Sequence, residues 1–339
     1  MRILCLTDNR DGHRNKAFGL INAMSRLRKL EQEEFPVKWR WSGVRQILSR
    51  TWGGAKHFPL SWFLKETPEM KPYDLIVSAG GSTQWPNAVM AYKLGVPNLF
   101  LGSPRAMSPR LFTAIMMHDS PLDTPHYLRY ELIPSIVSPQ AAKEATEKEC
   151  PDVSGQAWGL ILGGDGEGCH WSENDFRQML ETFFSNSRRL NREVWIATSR
   201  RTPEVVEDYA RELVFGYDKV EGVCWYHKRE QPSVSLLAMM GACECLLVTA
   251  DSMSMTHEAI ASGRPVISIL PENGEPNQRL AANLGDLGRL GRISCRKHNH
   301  IVDTLNHNSP DEGWNTIQFD PNTGFAEEVL KLIDSISIS

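Results

Sequence analysis

The chain has 339 residues, 41% of them hydrophobic and 23% charged, with a net charge of −4 at pH 7. That length exceeds one ordinary core, so two domains are expected, and the mildly acidic balance gives no case for bulk nucleic-acid binding. Seven cysteines without a C-x-x-C pair argue against a disulfide framework or a thiolate zinc site and for a reducing compartment.

Strand-like apolar runs fall at residues 3–7, 74–78, 98–102, 158–162, 194–198, 246–249 and 266–270. Helix-like segments lie between most of them, at 16–30, 173–189, 203–213 and 232–241. This alternation predicts βαβ units on parallel sheets. Each half opens on a strand, a polar glycine-containing loop and a helix. A Pro-, Glu- and Lys-rich stretch at 138–154 separates them. The expected domains are 1–145 and 155–325, two Rossmann-like units facing across a cleft, with a C-terminal helix over 326–339 that can pack back on the first domain. The N-terminal apolar run is too short for a signal sequence, and no window approaches a membrane span, so a cytoplasmic location is expected.

In the first half, His13 and Asp11 follow the first strand and are candidates for a general base. Imidazole titrates near neutrality and suits that task. His118 and Asp119, after a strand-like run at 112–117, are the rivals, and a structural histidine is the bland alternative. Asp8 is read as orienting the loop. Residues 38–65 carry six Lys or Arg, four Trp, two Phe and no acid. Two readings stand side by side: the indoles pack into the N-domain core, or the segment docks on the cytoplasmic face of an anionic membrane. Nucleic acid is set aside because no recognition motif accompanies the segment.

In the second half, the loop 163–168, with Gly164, can bring backbone amides close to a ligand. It is neither a Walker loop nor a complete G-x-G-x-x-G. Arg200 and Arg201 follow the strand at 194–198 and suit a diphosphate through planar guanidinium forks; a solvated loop is the alternative. Residues 223–226, ending at Tyr226, are an apolar run ahead of the helix-like segment at 232–241.

Residues 246–271 read as a buried strand, a Ser-rich turn, a short helix, a Gly-Arg-Pro stop and a second strand. Asp251, Ser252 and Ser254 are helix-start residues, and Gly263 with Pro265 ends the helix. A helix start at the carboxyl edge of a parallel sheet favours anions. Phosphates are expected at Ser252, Ser254, Met255 and Thr256, with Glu258 accepting from ribose hydroxyls. No Asp-x-Asp occurs, so no metal is expected; helix amides and arginine would meet the phosphate charge.

The blocks SAGGST (78–83), LGSPR (101–105), MHDSP (117–121), LILGGDGEGCHW (160–171), ATSRRTP (197–203) and TADSMSMTHEA (249–259) resemble the mitochondrial-fission-factor-like family. That family is similar to GT-B glycosyltransferases. A narrower stretch resembles the peptidoglycan N-acetylglucosaminyltransferase that makes lipid II: Glu258, Gly263-Arg264-Pro265, Pro271 and Pro276-Asn277-Gln278. Asp11-Gly12-His13 resembles the loop where such enzymes place acceptor and phosphate contacts.

The resemblance implies an α/β GT-B-like fold, with residues 223–226, ending at Tyr226, walling the nucleotide base and Asn277 and Gln278 at the donor sugar. The implied activity is metal-independent transfer from a nucleotide-sugar donor to an envelope glycan or lipid-linked acceptor. No cofactor is implied, the nucleotide-sugar being a substrate. Membrane contact through 38–65 goes with it, and nucleic acid does not. Two alternatives remain: a non-hydrolysing nucleotide-sugar epimerase, and a non-catalytic recruiting protein like the plant member of the family.

Overall fold

The computed structural model describes residues 1–337 except 9, 42, 52–55, 105–106, 118–125, 154, 229–233, 273 and 299–313. Contacts divide the chain into two units, Met1–Ile136 with Pro321–Ser339, and Val137–Asp320.

The first unit runs β1 (Arg2–Thr7), α1 (Asp11–Leu27), β2 (Glu31–Pro36), α2 (Val44–Arg50), β3 (Leu75–Ala79), α3 (Gln84–Leu94), β4 (Asn98–Leu101), β5 (Ala114–Met117) and β6 (Tyr127–Arg129). Its strands form one parallel sheet in the order β2-β1-β3-β4-β5-β6. The central strands are buried on both faces, which is why they read as continuous apolar runs. Edge strand β2, EQEEFP, was not anticipated. An edge needs only one paired side, and there charged residues and a terminal proline are tolerated. Helix α1 starts five residues earlier than expected, so Asp11, Gly12 and His13 form its first turn rather than a loop.

The second unit contains α4 (Pro139–Glu149), β7 (Ala157–Leu162), α5 (Glu173–Arg189), β8 (Val194–Thr198), α6 (Glu204–Phe215), β9 (Val220–Cys224), α7 (Leu236–Ala242), β10 (Cys243–Thr249), α8 (Met253–Ala261), β11 (Val266–Leu270), α9 (Gln278–Arg289) and β12 (Ile293–Lys297). Its sheet is also parallel, in the order β12-β11-β10-β7-β8-β9. A Ser172–Asp175 capping box opens α5. Ser252 caps α8. Cys243 and Cys245 lie inside β10, where burial pushes the Cys245 thiol up to about 12.

Helix α10 (Thr323–Ser337) belongs to the first unit. It buries Ala326, Val329, Leu330 and Ile333, and Asp334 pairs with Arg28 on α1's end at 2.7 and 2.8 Å. The Asn322 amide donates to the Ser135 carbonyl at 3.0 Å.

In each sheet the strand order reverses once: between β1 and β3, and between β7 and β10. Loops leaving the carboxyl ends of such neighbours diverge to opposite faces, and ligands of open α/β sheets bind in the crevice left there. Among the described residues no helix is long and apolar enough to cross a membrane, and no group of three His, Cys, Asp or Glu could hold a metal ion.

Candidate functional site

At the switch point of the first unit, Asp8 follows β1, His13 lies in the first turn of α1, and Gly80 and Ser82 follow β3. Nδ1 of His13 is 3.0 Å from both Asp8 carboxylate oxygens. Asp8 also accepts from the Ser82 hydroxyl at 2.5 Å and the Arg10 amide at 3.2 Å. Burial alone would raise the Asp8 carboxyl; hydrogen bonds from His13 and Ser82 outweigh it and hold the group below its ordinary value. A carboxylate on Nδ1 orients the imidazole and leaves Nε2 as proton acceptor. Nε2 has no partner among the described residues.

Asp11 is exposed and makes no hydrogen bond to His13, so Asp8 is the carboxylate on this histidine. Asp119 and His118 lie outside the described residues. Gly80 has φ +89 and stands against the imidazole.

Beside this pair an open cavity of about 400 Å³ is lined by Asp8, Arg10, Val37, Lys38, Trp39, Lys65 and Ser82. Two segments of 38–65 meet there as a short antiparallel ladder. Trp39 bridges Leu64, Arg40 donates its amide to the Phe63 carbonyl at 2.8 Å, and Lys65 donates its amide to the Lys38 carbonyl at 2.8 Å. The core-packing reading describes Trp39, whose ring lies 5.9 Å from Trp85 and whose Nε1 donates to the Ser82 carbonyl at 2.9 Å. It fails for Trp41 and Trp62, each 57% exposed. Trp52 lies outside the described residues.

The second unit builds its cluster where β7 and β10 diverge. The Asp251 side chain is fully buried. It accepts from Arg201 at 3.0 Å and from the Thr249 hydroxyl at 2.8 Å, and that hydroxyl accepts from the Gly163 amide at 2.6 Å. Arg201 also donates to the Asp251 carbonyl at 2.7 Å. Burial raises the Asp251 carboxyl above its ordinary value, opposed by Thr249, Arg201 and the Gly164 amide. A β-carbon on Gly163 would lie 2.0 Å from Asp251 Oδ1, and one on Gly164 2.0 Å from the Arg201 carbonyl oxygen. These two glycines therefore make room for Asp251 and the turn bearing Arg201, where the sequence suggested room for a ligand.

Asp251 and Arg201 are thus committed to each other. Arg200 is exposed and has no side-chain partner among the described residues. Along α8, Ser252 accepts from the Met255 amide at 3.5 Å. Ser254, Met255 and Glu258 are half-buried. Thr256 is wholly buried, its hydroxyl without a partner among the described residues. Asn277 caps α9 by accepting from the Leu280 amide at 2.9 Å and donates to the Glu167 carboxylate at 2.7 Å. Its side chain is already occupied, whereas Gln278 beside it is exposed.

The sequence reading missed Glu207. This buried carboxylate accepts from the Thr198 hydroxyl at 2.5 Å and from the amides of Tyr226, His227 and Lys228 at 2.8–3.1 Å. Burial would raise it, but Thr198 and the three amides hold it below its ordinary value. Glu207 thereby fixes the turn that presents half-buried Tyr226. The only hint was an acid on a helix face that otherwise buries Val206 and Ala210.

Two parallel α/β units of this kind define the GT-B fold, which solved structures share. UDP-GlcNAc 2-epimerase from Methanocaldococcus jannaschii is similar at 11% identity, covering 99% of this chain and 100% of that chain, with a TM-score of 0.60. The S. aureus MnaA–UDP co-structure is similar at 11% identity, 97% and 94% coverage and TM-score 0.57. Arabidopsis thaliana UGT89C1 complexed with quercetin is similar at 10% identity, 99% and 98% coverage and TM-score 0.50. At these identities the likeness is one of fold. The family model described as Mitochondrial fission ELM1 matches residues 11–333, and the chain belongs to that family. No curated protein matches the chain.

Proposed function

We propose that the chain is a metal-independent glycosyltransferase, moving a sugar from a nucleotide-sugar to a hydroxyl of an envelope glycan or lipid-linked acceptor. The observation that carries this reading is the Asp8–His13 pair, because a histidine anchored through Nδ1 with Nε2 unpartnered is equipped to take a proton. A recruiting module has no need of one. Nε2 would accept the acceptor's hydroxyl proton as that oxygen bonds to the anomeric carbon. The bond from that carbon to the diphosphate breaks, and the nucleoside diphosphate leaves with the electron pair. Asp8 would stabilise the imidazolium so formed.

On the donor side, Glu258 accepts from the ribose, and the first amides of α8 with Arg200 hold the diphosphate. Tyr226 and its turn wall the base, and Gln278 approaches the sugar. Arg201 and Asp251 brace each other, Gly164 leaves room for the turn bearing Arg201, Thr256 is buried in α8, and Asn277 caps the helix that begins at Gln278. Lack of an Asp-x-Asp motif and the presence of Arg200 favour charge neutralisation without a metal. Contact of residues 38–65 with the cytoplasmic face of a membrane belongs to the same reading, supported by exposed Trp41 and Trp62 beside Arg40.

A thermal-shift panel of uridine, guanosine and cytidine sugar nucleotides, with and without divalent metal, tests the donor assignment. One of them should stabilise the protein, and Glu258→Ala should remove that shift; an undiminished shift in the variant refutes the assignment. The fold likeness to a UDP-GlcNAc 2-epimerase favours one second reading, an epimerase. Incubation with donor alone separates the two, since epimerisation needs no acceptor.

A further inference from the structure

We infer that the cavity beside Asp8 and Ser82 is a subsite for a phosphate-bearing saccharide, the class of acceptor that His13 would deprotonate. This rests on the glycosyltransferase reading for its meaning, but the binding site is argued independently.

The first argument is charge. Three of the seven lining residues are cationic, Arg10, Lys38 and Lys65, and the one lining acid is Asp8. Asp8 keeps its negative charge but spends its oxygens on His13, Ser82 and the Arg10 amide instead of on a lining cation's side chain, so positive charge remains in excess in the lining. The Arg10 and Lys65 side chains have no partner among the described residues. Lys38 meets only Glu66, at 3.6 Å, and both groups are about half-exposed, so the contact is weak and readily exchanged.

The second argument is register. Trp39 bridges Leu64 in an antiparallel ladder, which sets Lys38 directly opposite Lys65. Like charges placed opposite one another on a ladder destabilise it, and a shared anion reverses the sign. The third argument is the wall. Trp39 is held by the Ser82 carbonyl and by Trp85, giving a fixed apolar face for the C–H side of a sugar ring. Ser82 joins both halves of the site: its carbonyl holds Trp39 while its hydroxyl holds the carboxylate on His13. A saccharide on Trp39 with its phosphate at Lys38, Lys65 and Arg10 therefore lies beside the base. The cavity volume is within the range of small-ligand sites.

Calorimetric titration of the full chain with N-acetylglucosamine 1-phosphate, against N-acetylglucosamine, tests this. The phosphorylated sugar should bind and the plain sugar should not at the same concentration. Lys65→Ala and Arg10→Ala, both at exposed positions, should each weaken binding roughly five- to tenfold, while Arg200→Ala and Glu258→Ala leave it unchanged. Equal binding of the two sugars overturns the inference. So does a loss that follows Arg200 instead of Lys65, because the phosphate then occupies the donor site. Binding to phosphatidylglycerol vesicles without binding of the phosphosugar overturns it in favour of a lipid headgroup. A donor titration that fails while Lys65-dependent phosphosugar binding persists removes the glycosyltransferase reading and leaves the subsite standing.

Discussion

A β-carbon on Gly80 would fall 2.1 Å from Nδ1 of His13. The two residues come from different strand–helix turns of the first unit, and the imidazole occupies the space that a side chain at position 80 would fill. The backbone there has φ +89, a region that other residues enter at a cost. Gly80→Ala should therefore destabilise the protein by about 1–3 kcal/mol and displace the ring from Asp8. In an acceptor-dependent transfer assay it should lose as much activity as His13→Ala. An alanine variant with full activity contradicts the placement of the base.

His13→Ala should lower turnover by about 10²–10⁴-fold, the usual contribution of a general base. Asp8→Asn should lower it too, because the amide can present its N–H to Nδ1 and upset the tautomer. Neither change should alter the thermal shift produced by the nucleotide-sugar. If the histidine is only structural, its loss should move the melting temperature and leave turnover per folded molecule intact.

Two glycine-to-alanine changes should behave in opposite ways. At Gly163 the new methyl meets the buried Asp251 carboxylate, so overpacking should cost about 1–3 kcal/mol by chemical denaturation. At Gly12 it meets nothing within 4 Å, and because the position lies in the first turn of α1 the change should stabilise by at most about 0.5 kcal/mol, the low end of the mid-helix gain. A Gly12→Ala protein that is more stable yet transfers sugar poorly marks position 12 as a place where acceptor comes close to backbone.

Glu207 links the Tyr226 turn to pH. Its folded-state value is depressed, so the stability it contributes is complete above the ordinary glutamate value and is lost as pH falls through the depressed one. Glu207→Gln should cost roughly 1–3 kcal/mol at neutral pH, because an amide cannot accept from every donor now aimed at the carboxylate. The gap between wild type and variant should shrink as the medium is acidified. Urea midpoints measured across that range check it, and a gap independent of pH removes the charge from the explanation.

The central strands were legible because burial on both faces demands unbroken apolar runs, and β8 and β11 run over the expected residues. Edge strands β2 and β12, EQEEFP and ISCRK, were not, since one open side relaxes that demand. The helix carrying Glu258 was legible from its cap and its Gly-Pro stop, both local signals. Contacts between distant positions were not. Ser82 reaches Asp8 across 74 positions and Arg201 reaches Asp251 across 50, and no periodicity records such meetings. Hence a residue such as Asp251, whose type suits a ligand, proved to be an internal brace, while Asp8 came forward as the partner of His13.

Helix α10 gives the fold a temporal order. Proteins emerge from the ribosome N-terminus first, and domains tend to fold as they emerge. Here the second unit, Val137–Asp320, is finished before the first can acquire α10, which covers the surface beside Arg28 and Ser135. The half of the chain made earliest is therefore completed last. A premature stop just beyond Asp320 spares the unit carrying Glu258 and leaves the one carrying His13 without its closing helix, so late truncations injure the early half.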